Sequence, residues 1–239
     1  MVIKKATTAE PEPTANLPQL NLLQVQPYGP GFNYWQLHVT ITGITPLLMN
    51  NPASMWEPKV ILAGSRGKNI PTPEEEAKRG LYVLENDELY FPGLGLRNCV
   101  LDGTSRGNFK INKKPLKVPL ASALIIPNER LPLTRAGMPF VAVRDAANGY
   151  SIDRRRAVIQ GQGIIRSRPR LAEGWQIETE ILIDAGLYET AAQLLQIWQL
   201  FNFAGHTVGI GDYRPSHLGT FGQFRAEFHE LNELVALVQ

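Results

Sequence analysis

The segment RRRAVIQGQGIIRSRPRL, residues 154–171, holds six arginines and no acid. A guanidinium is always charged and planar, and its fork matches the oxygens of phosphate or carboxylate. Such a row is chemistry for holding anions. Arg154, Arg155 and Arg156 are contiguous. Arg166, Arg168 and Arg170 alternate with Ile165, Ser167, Pro169 and Leu171. On a strand that alternation puts the three guanidiniums on one face, repeating about every 6.6 Å. This is close to the phosphate separation of an extended single strand, so the row is suited to pairing with successive phosphates. Pro169 cannot donate to a ladder, which favours an edge position.

The row sits in a larger asymmetry. The net charge is only +2 over 239 residues. Yet residues 97–170 carry 15 Lys and Arg against 4 Asp and Glu, and the rest of the chain carries 9 against 18. A basic block of this kind reads as a footprint for a polyanion. It reads equally as a solvated basic face balanced by acidic faces elsewhere. Lys110, Lys113 and Lys114 belong to the block, in a loop-like stretch at 106–117.

Two further stretches are candidates. In LYFPGLGLRNCVLDG a Pro-Gly turn opens a helix that carries Arg97. Free N–H groups at a helix start attract anions, and Arg97 strengthens that. In GIGDYRPSHLGTFGQF, which contains Arg214, the glycines Gly209, Gly211, Gly219 and Gly222 allow close approach to a backbone. Taken singly, each stretch is also explained as a structural turn. Trp56, Phe140 and Tyr150 are candidates for stacking on bases.

Other chemistries find little purchase. GSRGKN at 64–69 lacks the spacing of a phosphate loop, and GLGLRN at 93–98 lacks the third glycine of a dinucleotide site. The four histidines are scattered, so no metal site and no cofactor is expected. No Gly-x-Ser-x-Gly elbow occurs. Cys99, the single cysteine, reads as a small buried apolar residue.

The elements that must position these residues follow from periodicity. Residues 34–42 alternate as a half-buried strand, with Trp35, Leu37, Val39 and Ile41 on one side. A long insertion at about 46–80 follows, with a short helix at 73–79. LYVLENDELYFPG reads as a small hairpin, 94–103 as a short helix, and LASALIIP as a short strand. Residues 128–160 show no sustained period and read as a second long, mobile insertion. GIIRSRPRL and WQIETEILID read as a hairpin joined by 172–174. The clearest helix spans 187–204, with Gly205 at its C-cap, and the last strand ends at Phe228. Residues 1–33 read as a disordered or extended leader and 231–239 as a tail. No run spans a bilayer and no secretory leader is evident, so a cytoplasmic protein is the default. The expected architecture is α+β: one ferredoxin-like (RRM-like) antiparallel sheet over 34–230, with two helices and two long insertions.

Three motifs in this order resemble the RAMP superfamily, the ferredoxin-like proteins of CRISPR systems. They are ITGITPLLMNN at a strand end, LYFPGLGLRNCVLDG on the first helix, and VGIGDYRPSHLGTFGQF before the last strand. The helix motif departs from the family at Gly95, Arg97 and Asn98, where Ser, Lys and Gly are frequent. The resemblance implies a non-catalytic backbone subunit that binds single-stranded RNA, a guide RNA above all. It implies copies joined head to tail along that strand, other effector-complex subunits as partners, and a single-stranded DNA target as a further ligand. The 128–160 insertion would be the thumb. Two alternatives stand beside it. One is an endoribonuclease of the same superfamily, disfavoured because no Asp precedes Asp87 and no His lies between His38 and His206. The other is a phage or plasmid protein that binds single-stranded nucleic acid, or a structural protein whose basic stretch pairs with acidic surfaces.

Overall fold

The computed structural model describes residues 22–52, 71–111, 113–159, 162–232 and 235–236. Strand β1 (Leu23–Val25) leads to β2 (Tyr34–Gly43), and β3 (Leu47–Leu48) follows a bend. Helix α1 (Pro73–Arg79) precedes β4 (Tyr90–Pro92) and α2 (Gly93–Arg106). A small hairpin of β5 (Lys110–Ile111) and β6 (Lys114–Pro115) leads to α3 (Lys117–Ala123) and β7 (Leu124–Ile125). Three short strands follow, β8 (Arg130–Pro132), β9 (Thr134–Arg135) and β10 (Met138–Pro139). Then come the long strands β11 (Ser151–Ile159), β12 (Gln162–Leu171) and β13 (Gln176–Asp184). Helix α4 (Ala191–Thr207) and β14 (Phe224–Phe228) complete an α+β protein with four α-helices and antiparallel sheets among the described residues. No helix among them is long and apolar enough to cross a membrane.

The main sheet is built on β2 and β13, which pair antiparallel from Thr42↔Gln176 to Tyr34↔Asp184. On the other edge of β2 lie β1, at residues 34–36, and β14, at 39–43. On the other edge of β13 lie β7 and β9. Alternation decides the inner face. Leu37, Val39 and Ile41 of β2, Ile177, Ile181 and Ile183 of β13, and Phe224, Ala226 and Phe228 of β14 are buried in one apolar cluster with α2 and α4. The two helices meet where they are thin. A Cβ on Gly103 would come within 2.6 Å of the Ala204 Cβ.

Local chemistry sets the helix starts. Thr72 and Glu75 form a reciprocal capping box on α1, with Pro73 in its first turn. Thr190 and Gln193 do the same for α4. Helix α4 runs beyond the expected stop at Gly205. That glycine is needed for contact instead, since a Cβ there would lie 2.3 Å from the Phe224 carbonyl oxygen. The same helix closes the outer edge of β14. Asn202 accepts the Ala226 N–H at 2.9 Å, and Asn202 and Trp198 both donate to the Ala226 carbonyl.

The structure corrects several expectations. The two expected strands form as Gln162–Leu171 and Gln176–Asp184 but do not pair with each other. Strand β12 pairs with β11 along its length and with β3 at Arg170 and Leu171, in a separate three-stranded sheet. The chain crosses between sheets because Trp175 must be buried. Its indole lies across Gly43, where a Cβ would meet it at 2.1 Å, and its Nε1 donates to the Thr45 carbonyl at 2.8 Å. Residues 128–159 are not structureless. They hold three short strands and the nine residues of β11. LASALIIP is the end of α3 followed by a two-residue strand. The expected small hairpin at 81–93 is present but short, an antiparallel bridge Val83↔Leu89 flanked by Leu84 N–H on Glu88 O and Tyr90 N–H on Tyr82 O, and Tyr90–Pro92 pairs with β8 as well. Of the expected leader, residues 1–21 lie outside the described residues, and 23–25 form β1. Residues 53–70 of the first insertion, with Trp56, lie outside them too, as does most of the tail.

Candidate nucleic-acid interface

The pairing of β11 with β12 assigns each arginine to a face. Arg155 stands opposite Arg166, Asp153 opposite Arg168, and Arg154 opposite Ser167. Arg166, Arg168 and Arg170 therefore share one face with Asp153 and Arg155, and Arg154 and Arg156 share the other. The row exists, but much of it is already occupied by the protein's own acids.

Arg166 Nε lies 2.5 Å from Glu76 Oε1, on α1. The other oxygen of that carboxylate accepts the Ser167 N–H at 2.8 Å, so Glu76 also satisfies the open edge of β12. Arg168 Nε lies 2.5 Å from Asp212 Oδ2, an ionic contact rather than an aligned hydrogen bond, with the Arg168 side chain only 11% exposed. Arg155 forms a two-pronged pair with Asp153 at 2.6 and 2.9 Å, and those bonds hold it firmly protonated. Its guanidinium also lies over the rings of Phe221 and Tyr213, at 4.5 and 5.2 Å. The hairpin base is thus tied to α1 through Glu76 and to the glycine-rich loop through Asp212, Tyr213 and Phe221.

That loop makes its close approaches within the chain. Gly211 has φ +78, and a Cβ there would lie 2.4 Å from the Leu48 carbonyl oxygen of β3. The next N–H, of Asp212, donates to that oxygen at 2.8 Å. A Cβ on Gly219 would sit 1.6 Å from the Tyr213 carbonyl oxygen. Gly209 and Gly222 flank Ile210, whose N–H donates to Gly222 O, and Gly222 N–H donates to Pro46 O. Gly222 and Gly211 pack the loop onto Pro46, in the bend before β3, and onto β3 itself. Arg214 braces the same loop, donating to Gly211 O at 2.9 Å. Arg97 is likewise engaged. It donates to the Ala121 and Leu124 carbonyls at the end of α3, while the first N–H of α2, from Gly93, donates to Glu129 O.

The cations left open lie elsewhere. Arg154 and Arg156 are exposed and Arg170 is half-buried; none has an ion-pair partner among the described residues. Lys110, Lys113 and Lys114 are exposed on the β5–β6 hairpin, whose turn puts Lys113 at φ +65. Arg154 also lines an open groove of about 530 Å³ with Thr72, Pro73, Glu74, Arg144 and Ile152. Arg144 in that groove is paired with Glu74 and Asp145.

Phe140 and Tyr150 are core residues, 0% and 6% exposed, and present no face for a base. The aromatic that sequence reasoning passed over is Tyr213, exposed at φ +51 in the glycine-rich loop. The signal was an aromatic inside a loop already singled out. The acids Glu76 and Asp212 were also missed.

The outer face of the main sheet has the opposite charge. Glu178 and Glu180 of β13, Glu227 of β14 and Glu230 gather there around Thr40 and His38, with Arg225 as the one arginine. His38 Nδ1 lies 2.6 Å from Glu230 and Nε2 lies 3.2 Å from Glu180. The hydrogen bond to Glu230 raises its pKa. A polyanion is repelled by this face. Cys99 is buried, which pushes its thiol up to about 12 and removes its nucleophilic form. No group of three His, Cys, Asp or Glu suited to a metal ion occurs among the described residues.

No protein-family model matches this chain, and no curated protein shows detectable similarity to it.

Proposed function

We propose that the protein is a non-catalytic subunit that binds single-stranded RNA and assembles in copies along it, in the manner of a RAMP backbone subunit on a guide strand. The observation that carries this reading is the β11–β12 hairpin, a two-stranded arm whose Arg154 and Arg156 stay exposed while its base is tied to α1 and to the glycine-rich loop. Nine paired positions span about 30 Å, long enough to lie along several nucleotides. The arm leaves the chain between β7 and β13. The core strands run β14–β2–β13–β7 with α2 and α4 on one face, an order that supports a ferredoxin-like reading. The acidic outer face of the sheet directs a polyanion to the arm side instead.

The test is equilibrium binding to an unstructured RNA across a range of salt. Affinity falls linearly on a log–log plot as salt rises, because phosphate contacts release counterions. Binding that is absent at low salt, or flat over a tenfold range of salt, overturns the reading.

A second reading has one observation in its favour. Arg155, Arg166 and Arg168 are spent on acids of the same chain. In that reading the basic stretch is internal bracing in a structural or interaction protein, with no nucleic acid involved. Purified protein whose 260/280 nm absorbance ratio is that of protein alone, and which ignores RNA, selects it.

A further inference from the structure

We infer that Glu76 and Asp212 are positioning residues, which hold the β11–β12 arm in its strand-binding shape by occupying Arg166 and Arg168. The inference rests on the RNA-binding reading and says which arginines are struts and which are contacts.

The geometry separates the two groups. Arg166 and Arg168 side chains are 19% and 11% exposed, and each ends on a carboxylate from a different element. Glu76 reaches from α1, 90 residues away in sequence, and takes both the Arg166 guanidinium and the Ser167 N–H. Asp212 is fixed by its own N–H on Leu48 O, the strand next to β12. A phosphate competing for either guanidinium has to displace a fixed carboxylate and leave it half-buried beside another anion, which is costly. Arg154 and Arg156 have no such competitor among the described residues. The arm is therefore clamped at positions 166–168, and the side chains of Arg154 and Arg156, on the paired strand, carry no ion pair among the described residues.

Neutralising an acid beside a basic surface ordinarily strengthens polyanion binding. The clamp inverts that sign. Glu76→Gln and Asp212→Asn each remove a negative charge yet loosen the arm, so ordering it falls to the RNA.

The experiment measures affinity for a short unstructured RNA in wild type, Glu76→Gln, Asp212→Asn and the charge-swapped Glu76→Arg/Arg166→Glu. Amide exchange of residues 151–171 without RNA is followed in parallel. Each neutral variant is expected to bind about fivefold to tenfold more weakly with faster exchange in the arm, and the swap, which remakes the ion pair but not the bond from the Ser167 N–H, to restore both in part. The salt slope stays at its wild-type value in all of them, because the phosphate contacts are unchanged. If the neutral variants bind as tightly or more tightly, the acids merely mask the arginines and the inference is overturned while RNA binding stands. If the swap orders the arm but loses RNA affinity together with salt slope, Arg166 is a phosphate contact and the inference again fails. A wild type that ignores RNA defeats the reading above instead. In that case the exchange rates alone decide the clamp: an arm exchanging equally in all four proteins overturns it.

Discussion

His38 shows what one side chain does when three elements converge on it. It sits on β2, between Glu180 of β13 and Glu230 of the turn after β14. Its own N–H also donates to both Glu230 oxygens. Glu178, Arg225, Glu227 and His229 stand on the same face, with His229 on Thr40. Because the folded pKa is raised, protonated His38 stabilises the fold fully below its unfolded value near 6.5. That contribution is lost as pH rises through the folded value. Thermal melts of wild type and His38→Gln should differ most at about pH 5.5 and converge towards pH 8.5. A gap that widens with pH contradicts this. The effect is small, since half the imidazole is exposed and water screens it. The types of these residues were readable in the sequence, but their meeting was not, because 192 positions separate His38 from Glu230. The same holds for Arg166 and Glu76. Six arginines announce an affinity for anions, and only the fold says that some of those anions are the protein's own carboxylates.

Elements were legible where one period governed one partner. The alternation of β2 and β14 and the capped helix at 73–79 follow from local pattern and turn chemistry. The partner of β12 did not follow. Adjacent strands with a three-residue link usually make a hairpin. Here Trp175 is buried against Gly43, and that one contact commits β13 to β2 and leaves β12 to β11. The irregular stretch before β11 looked mobile because its strands are only two or three residues long, and β8 and β9 pair with β4 and β13, far off in sequence. At this scale the open side of the arm makes a separate claim. Replacing Arg154 and Arg156 together by Ala should weaken RNA binding by about 1.5–3 kcal/mol for each guanidinium–phosphate bond removed. It should reduce the log–log salt slope by about 1.4, the value for two phosphates on a single strand. Melting temperature should hardly move, as neither side chain has an ion-pair partner among the described residues. An unchanged slope would place the phosphates elsewhere, with the Lys110–Lys114 hairpin the next site to alter.

For the whole molecule, two surface patches differ in sign. The arm and the β5–β6 hairpin carry exposed cations, and the outer face of the main sheet carries a cluster of carboxylates. A surface so divided favours contacts between unlike patches, which are heterologous and do not close on themselves. Mass measured by light scattering on single-stranded RNAs of increasing length should therefore climb with RNA length. A constant mass on every RNA would mean that copies do not assemble along the strand. What such an assembly looks like is constrained by Asn202. It takes the Ala226 N–H, and with Trp198 the Ala226 carbonyl, at the margin of β14 where a neighbouring backbone would otherwise attach. On the proposed reading, copies crowded onto one template would not join across that margin into a continuous ribbon. A shortened template would then release subunits that leave it without a shared β14 ladder to hold them together.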